Sequence, residues 1–164
     1  IPDSTRFAYL CVFNSGEWGA IHWGKLQGQQ VTFTAMGRDI VYLPAYFIEH
    51  ELKPAGAAFL LDLDGQVHPW QASDATSVDV TLTSTTRRTL AKSTDGIVET
   101  FFTEGAEYEL FYWAGEWVSL GTTTATDSPL EFQAPAGALY WLVEIDSRQQ
   151  ERIFTWENGQ QVWW

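Results

Sequence analysis

The second part of the chain repeats the aromatic pattern of the first part. Gly115-Glu116-Trp117 reproduces Gly16-Glu17-Trp18 at an offset of 99 residues (115 − 16). The same ungapped offset aligns seven further apolar pairs: Tyr9 with Tyr108, Phe13 with Tyr112, Ile21 with Leu120, Phe33 with Phe132, Ile40 with Leu139, Tyr42 with Trp141 and Leu43 with Leu142. The period is longer than that of short solenoid repeats, and it predicts a tandem duplication of one supersecondary unit.

The repeat resumes after a deletion at an offset of 94 residues (159 − 65). There, Phe59–Gln66 faces Ile153–Gln160. The first copy has Asp64-Gly65 where the second has Asn158-Gly159, and both dipeptides favour the type I′ turn of a β-hairpin. The two matches therefore support each other physically as well as by position.

Short β-rich runs separated by turns make up most of the chain and predict an all-β fold. Strands are expected at Phe7–Phe13, Trp18–Trp23, Val31–Thr34, Ile40–Phe47, Ala58–Leu63, Gln66–Trp70, Val78–Leu82 and Ile97–Phe102, with a polar loop at Glu49–Gly56 and a mobile crossover at Thr83–Asp95. Pro44 inside its run predicts a sheet edge or a bulge. No window combines the apolar spacing of a helix with helix caps.

Strands at this spacing favour duplicated β-sandwich or jelly-roll-like units. The first unit is expected over residues 1–95, including the Ser/Thr-rich crossover. The second, a shortened copy, is expected over residues 96–164. One continuous domain, in which the two copies complete each other's sheets, remains the alternative.

The charge and the apolar runs limit the classes of partner. The net charge is −12, with nine Lys and Arg against 21 Asp and Glu, which argues against nucleic acid because phosphate binding needs a basic surface. Every apolar run is far shorter than the about 20 residues of a membrane-spanning helix. The start, Ile1–Thr5, lacks the pattern of a signal peptide, so we expect either that an export signal was removed or that the chain is a fragment.

The catalytic candidates are a lone thiol and a pair of carboxylates. Cys11 lies in an apolar run without a neighbouring base, so we interpret it as a buried packing residue and not as a nucleophile. Glu17 and Glu116, the glutamates of the repeated Gly-Glu-Trp, are the symmetric pair for a glycosidase, but such a pair requires a fixed separation that two repeats do not impose. We therefore expect no enzymatic activity, with a small glycoside-active enzyme as the weakest alternative.

No metal or cofactor site is expected. His22, His50 and His68 are isolated and belong to no metal-binding pair. Asp62-Leu63-Asp64-Gly65 resembles the beginning of a calcium loop, but no bidentate acid follows at the required spacing, and a hairpin turn explains it better.

The nine tryptophans are the unusual part of the composition. Those on predicted strands or at strand ends are Trp23, Trp70, Trp113, Trp141, Trp156, Trp163 and Trp164. A chain of this size does not bury nine indoles completely, so some should form exposed platforms. The candidate ligand-binding residues are Trp70, Trp113, Trp156, Trp163 and Trp164. Trp163 and Trp164 are adjacent on one strand and point to opposite faces, so one of them should lie at the surface.

Two segments resemble a known class of modules. Phe33–Tyr46 and Arg152–Trp164 are similar to the C-terminal noncatalytic β modules of large secreted Bacteroidetes proteins, which often carry a transglutaminase-like, papain-fold domain upstream. The resemblance covers most of the chain and implies an accessory region of a longer exported protein. It provides no catalytic residue, because the Cys, His and Asp arrangement of the upstream enzyme is absent here.

The expected function is a noncatalytic accessory module, outside the cytoplasm, that binds a glycan or glycoprotein through exposed aromatic side chains. The alternative is a structural spacer or protein-interaction module that packs on the upstream enzyme domain. Exposed coplanar rings beside polar groups would favour glycan binding, whereas an apolar patch beside the N-terminus would favour the alternative.

Overall fold

Every regular element in the described part of the chain is a β-strand, which confirms the predicted all-β class. The structure is a computed structural model, and it describes residues 1–14, 16–34, 36–70, 73–82, 87–90, 97–99, 103–126, 129–145 and 150–164. The strands belong to two units, which we call unit 1 (Ile1–Trp70) and unit 2 (Gln71–Trp164). Within these ranges the chain contains no helix.

Unit 1 is built on one six-stranded antiparallel sheet. Its strands are β1 (Phe7–Asn14), β2 (Glu17–Lys25), β3 (Ile40–Ile48), β4 (Glu51–Pro54), β5 (Ala58–Leu61) and β6 (Val67–Trp70). The order in the sheet is β2-β1-β3-β5-β6, and β4 pairs with the second half of β3.

Unit 2 contains a seven-stranded sheet and a two-stranded ribbon. Its strands are β7 (Ser73–Leu82), β8 (Arg87–Leu90), β9 (Ile97–Glu99), β10 (Glu107–Trp113), β11 (Trp117–Thr124), β12 (Leu130–Ala136), β13 (Tyr140–Glu144), β14 (Gln150–Glu157) and β15 (Gln160–Trp163). The large sheet has the order β11-β10-β13-β14-β15-β8-β9, and β7 pairs with β12 in the ribbon. Only β15 and β8, among the described pairs, run parallel.

Five strands of unit 2 repeat the order and direction of five strands of unit 1. The order β11-β10-β13-β14-β15 corresponds to β2-β1-β3-β5-β6, and each neighbouring pair is antiparallel in both units. The first hairpins also correspond, since Phe13 lies opposite Trp18 and Trp113 lies opposite Trp117, although the connection in unit 2 is one residue shorter. This agreement supports the duplication inferred from the sequence and the equivalence of Trp18 with Trp117.

The ungapped offset of 99 residues is wrong by one residue in two of the strands. When the two units are compared by their strand pairing, residues of β1 correspond to residues of β10 that are 100 positions later (113 − 13). Residues of β3 correspond to residues of β13 that are 98 positions later (140 − 42). Phe13 therefore corresponds to Trp113, and Tyr42 corresponds to Tyr140 and not to Trp141. The difference matters because a slip of one residue moves every side chain of a strand to the other face.

The core of unit 2 lies between the ribbon and the large sheet. Side chains of both layers form one buried cluster: Val80 and Leu82 of β7, Leu130, Phe132 and Ala134 of β12, and Tyr108, Leu110, Tyr140, Leu142 and Phe154 of the large sheet. Full burial of one such leucine or phenylalanine contributes about 1.5–3 kcal/mol. Unit 2 therefore consists of two β layers that share one core.

The corresponding core of unit 1 is smaller. Leu10, Tyr42 and Leu61 are buried there, and the half-buried Val12, Phe33, Met36, Ile40 and Phe59 pack against them. The strand predicted at Val31–Thr34 is wrong, because these residues cover the sheet without strand pairing. In unit 2 the equivalent residues form β12, which has β7 as its partner.

The polar loop predicted at Glu49–Gly56 is instead a tight turn followed by a strand. Glu49 and His50 have φ of 49° and 71°, as a two-residue hairpin turn of type I′ requires, and β4 then pairs back onto β3. Pro44 lies where β3 changes its partner from β5 to β4. A residue without an N–H is tolerated at such a break in the pairing.

The boundary between the units lies at residues 70/71, whereas the sequence placed it at 95/96. Strand pairing explains the difference, because β7 pairs with β12 and β8 pairs with β15. Most of the crossover predicted at Thr83–Asp95 falls outside the described residues, but Arg87–Leu90 in its middle is strand β8.

Candidate functional site

The most exposed aromatic surface of the described chain lies on the sheet of unit 1. It consists of Phe7 and Tyr9 on β1, Trp23 on β2 and Phe47 on β3, and we call it the Trp23 cluster. Two ring contacts hold it together, Phe7 with Trp23 and Tyr9 with Phe47.

Strand register brings these side chains to one face. Tyr9 lies opposite Trp23 of β2 on one side and opposite Ala45 of β3 on the other. Because side chains alternate along a strand, Phe7 and Phe47, each two residues away, point to the same face. The next residue, Gly24, lies opposite Ala8 on the other face. The cluster is therefore separate from the buried core around Leu10 and Tyr42.

The rings of the Trp23 cluster are exposed but not coplanar. Trp23 is 68% exposed, Phe47 42% and Phe7 38%, while Tyr9 is half-buried. The centroids of Phe7 and Trp23 are 5.6 Å apart at 71°, and those of Tyr9 and Phe47 are 4.9 Å apart at 89°. Edge-to-face pairs of this kind are stable, but they present ring edges beside ring faces and no flat platform.

The surroundings of the cluster are mainly apolar. All the large hydrophobic side chains found exposed among the described residues belong to unit 1: Ile1, Phe7, Ile21, Trp23, Phe47, Ile48, Leu63 and Val67. On the cluster's own face, Lys25 lies opposite Phe7, and Leu52 lies opposite Phe47. Exposed apolar side chains are therefore frequent in unit 1, and those of the Trp23 cluster share one face of its sheet.

The five tryptophans named from the sequence are divided between the two units. Trp70 and Trp113 are half-buried and lie in different units. Trp156 is also half-buried and packs against the core of unit 2. Trp164 is half-buried, and its indole N–H donates to the Thr155 hydroxyl at 3.1 Å. The side chain of Trp163 lies outside the described part of the structure.

A row of half-buried rings does contain Trp113. The ring centroids of Trp113 and Trp117 are 5.0 Å apart, and those of Trp117 and Trp141 are 5.5 Å apart. The Phe111 ring extends the row, with its centroid 5.2 Å from that of Trp141. Strand pairing places these residues on the face opposite the core of unit 2. Their partial burial leaves less ring surface for a ligand than Trp23 offers.

A polar depression of about 380 Å³ lies on the ribbon of unit 2. Asp79 faces Gln133 and Thr81 faces Glu131 across the two strands, and Phe132 forms the floor. The depression offers hydrogen-bonding groups, but its only ring belongs to a buried core residue. It therefore lacks the exposed aromatic surface that sugar stacking needs.

The thiol has the surroundings expected from the sequence. Cys11 has no exposed surface, and burial raises the pKa of its thiol to about 11. Only the thiolate is an effective nucleophile, so this environment suppresses reactivity at neutral pH. The interpretation of Cys11 as a buried core residue is confirmed.

The other candidate groups are the two glutamates of the repeated Gly-Glu-Trp, the acid of the Asp-Gly turn and the histidines. Glu17 lies in unit 1 and Glu116 in unit 2. Asp62 and His68 do interact, with the imidazole Nε2 2.7 Å from a carboxylate oxygen, but the same carboxylate accepts the Gln66 N–H at 2.7 Å and so closes the hairpin turn. No three potential metal-binding side chains come together among the residues that the structure describes.

Phe7 and Phe47 were not identified as site residues from the sequence. The run Phe7–Phe13 is apolar at nearly every position, and this pattern indicates burial on both faces. Its exposed end becomes visible only when the register with β2 and β3 is known. Trp23 lies opposite Tyr9 on the neighbouring strand but 14 positions later in the chain (23 − 9), so their proximity leaves no local signal in the sequence.

Comparison with protein-family models, curated proteins and solved structures finds no match to this chain. In the described residues, no helix is long and apolar enough to cross a membrane.

Proposed function

We propose that this chain is a noncatalytic binding module that docks a protein partner through the Trp23 cluster. One observation carries the proposal: three aromatic side chains between 38% and 68% exposed lie together on one face of a sheet near the N-terminus. Exposed Phe and Trp cost solubility on a free surface, and clusters of them are typical of protein interfaces.

The ring geometry favours a protein over a glycan at this cluster. The two edge-to-face pairs form a ridged apolar surface, which suits a partner pocket that receives the Trp23 indole as an anchor. The neighbouring Leu52, which is half-buried, adds apolar surface without a new hydrogen-bonding group. Given the net charge of −12, we expect the partner to have a basic rim around an apolar centre.

The test is photo-crosslinking followed by measurement with purified components. A photoreactive residue in place of Lys25 leaves the cluster intact and samples its border. The captured partner is then purified, and its Kd is measured by calorimetry with the wild type, Trp23→Ala and Phe47→Ala. Anchor residues typically contribute 2 kcal/mol or more, equivalent to about 30-fold in Kd.

Leu63→Ala is the matched control, because Leu63 is 76% exposed and lies in the turn between β5 and β6. We expect this variant to bind like the wild type. If both cluster variants also bind within about twofold of the wild type, the partner does not use the Trp23 cluster and the proposal fails.

A second proposal is glycan binding, favoured by the exposure of the Trp23 indole itself. A single exposed indole can stack on the apolar face of a sugar ring, and shallow sites of this type have affinities of about 1 mM to 1 μM, or roughly −4 to −8 kcal/mol. An oligosaccharide array followed by calorimetry tests it. Loss of the glycan signal in Trp23→Ala, with unchanged melting temperature, supports glycan binding, and an array without hits excludes it in favour of the protein partner.

The location outside the cytoplasm and the association with an upstream transglutaminase-like domain belong to the same proposal. They rest on the resemblance of Phe33–Tyr46 and Arg152–Trp164 to modules of secreted Bacteroidetes proteins. Fractionation of producing cells, with immunodetection of this chain, tests the location directly.

A further inference from the structure

The two units differ in the layer that covers the core face of the sheet. In unit 2 this layer is the β7–β12 ribbon, in which Phe132 lies opposite Val80 and Leu130 lies opposite Leu82. All four of these side chains are buried. The covering strand β12 therefore has a partner strand that completes the layer.

In unit 1 no strand that the structure describes pairs with the equivalent residues 31–34. Val31 and Phe33 are half-buried and Thr32 and Thr34 are exposed, so the side chains alternate as in a strand. Phe33 packs on the same core as Leu10 and Tyr42, as Phe132 does on Leu110 and Tyr140. In the described part of unit 1, no strand pairs with residues 31–34, and no backbone hydrogen bond found outside the strands involves them.

Gly24 explains how these residues reach the sheet. A Cβ on Gly24 would lie 2.5 Å from Cγ2 of Val31 and 3.6 Å from Cε1 of Phe33. The absence of a side chain on β2 thus permits the close approach, and the segment is held in place on its inner side. Its backbone is not paired with any strand that the structure describes.

We propose that residues 31–34 accept an extended segment of a partner polypeptide as an antiparallel β-strand, in the position that β7 occupies in unit 2. Addition of a strand to an open edge is an established mode of peptide recognition, in which main-chain hydrogen bonds provide affinity and alternate side chains provide specificity. The site differs from the Trp23 cluster, because Trp23 and Gly24 point to opposite faces of the sheet.

The structure of β7 defines the chemistry of the occupant. Val80 and Leu82 alternate with the outward Asp79 and Thr81. A partner strand needs the same alternation, with branched apolar residues opposite Phe33 and Val31. A depression of about 280 Å³, lined by Gly24, Lys25, Gln27, Gln30, Val31 and Thr32, lies between the Val31 end and β2.

A second copy of this chain is a poor donor. Its own β7 is paired with β12 at seven positions, from Leu130 opposite Leu82 to Ala136 opposite Ser73. Donation would expose Val80 and Leu82 and open the core of unit 2. A segment of another polypeptide carries no such cost.

A synthetic peptide with the sequence of Ser73–Leu82 is the probe, and the full chain is the acceptor. We expect it to bind at least tenfold more tightly than a peptide that carries aspartate in place of Val80 and Leu82. Hydrogen exchange with mass spectrometry should show new protection of the amides of residues 31–34. Trp23→Ala should bind the peptide like the wild type, which separates this proposal from the function proposed above.

Two further peptides test the hydrogen-bonding pattern. In one peptide the backbone nitrogens of the odd-numbered residues are methylated, and in the other those of the even-numbered residues are methylated. An added strand faces the acceptor with every second N–H, so one pattern of methylation should abolish binding and the other should leave it largely intact. Equal effects of the two peptides overturn the proposal.

The remaining outcomes are also decisive. Protection that appears in β12 instead of residues 31–34 means that the peptide displaces β7, and the proposal fails. Absence of peptide binding overturns it as well. Concentration-dependent dimerisation in sedimentation, which competes with the peptide, identifies a second copy as the occupant and contradicts the choice of another polypeptide.

Discussion

Tyr42 of unit 1 and Tyr140 of unit 2 make the same hydrogen bond. Each hydroxyl donates to the carbonyl oxygen of the residue five positions earlier, Gly37 for Tyr42 and Pro135 for Tyr140. Each tyrosine ring also contacts the phenylalanine opposite it on the next strand, Phe59 in unit 1 and Phe154 in unit 2. This shared arrangement joins the covering segment to the sheet in both units.

Removing either hydroxyl should destabilise its unit. In Tyr42→Phe and Tyr140→Phe the carbonyl oxygen loses its donor, and we expect the free energy of unfolding to fall by about 1–2 kcal/mol in urea titrations. Tyr112→Phe is the matched control, because Tyr112 is a half-buried tyrosine of β10, and it should change stability by less than about 0.5 kcal/mol. Equal effects of all three substitutions would contradict a special role for this hydrogen bond.

The buried thiol provides a prediction about reactivity. Because burial raises the pKa of Cys11 to about 11, a thiol reagent at pH 7 should label the native protein slowly. Labelling should become fast in denaturant, where the thiol has an ordinary pKa and full access. Rapid labelling of the native protein would mean that β1 opens readily or that Cys11 is activated.

The turn between β5 and β6 predicts a pH dependence. The contact with His68 and the hydrogen bond from Gln66 hold the pKa of the Asp62 carboxyl below its ordinary value of 3.8. A lowered pKa in the folded state contributes stability that is present above the unfolded pKa and is lost as pH falls through the folded pKa. The stability difference between the wild type and Asp62→Asn should therefore be constant at neutral pH and shrink below about pH 4.

A difference that persists unchanged at pH 2 would show that the contribution of Asp62 is not ionic. NMR titration of the Asp62 carboxyl carbon provides an independent check. Its midpoint should lie below the ordinary value of 3.8.

Much of the architecture was predictable from the sequence because hairpin turns and strand alternation are local signals. Asn158 and Gly159 both have positive φ, as the predicted type I′ turn requires. At Asp64-Gly65 only the glycine has positive φ, so the prediction of a type I′ turn is wrong there. The strands on either side of both turns were placed within a few residues. The register was less accessible. Aligning Tyr42 with Trp141 was an error of one residue that aromatic similarity concealed, and only the pairing of β3 with β5 and of β13 with β14 corrects it.

The candidate site was less predictable for the same reason. Tryptophans are conspicuous in a sequence, but their exposure depends on which strands lie beside them. Trp23 is exposed at the end of a sheet face, whereas Trp156 packs on a core with a similar local sequence pattern. Residues 31–34 show a further limit of prediction from sequence. Their side chains alternate as in a strand, but a strand forms only where a partner strand is present.

Trp23 should contribute little to stability. Because it is 68% exposed, Trp23→Ala is expected to lower the free energy of unfolding by less than about 1 kcal/mol, whereas Phe154→Ala, in the core of unit 2, should cost about 3–5 kcal/mol. Thermal and urea unfolding of the two variants measure both values. A large loss in Trp23→Ala would identify Trp23 as a structural residue and weaken the assignment of the cluster to binding.

Phe33 and Phe132 allow a direct comparison between residues 31–34 of unit 1 and the β7–β12 ribbon of unit 2. Phe132 is 6% exposed beneath the β7–β12 ribbon, and Phe132→Ala should cost about 3–5 kcal/mol because it leaves a cavity inside a packed core. Phe33 is only half-buried, so Phe33→Ala should cost less, about 1–2 kcal/mol. When the Ser73–Leu82 peptide is bound, Phe33 becomes covered from both sides, and the cost of Phe33→Ala measured in the complex should rise towards that of Phe132→Ala. If the peptide binds but the cost of Phe33→Ala stays the same, the added strand does not lie where β7 lies in unit 2.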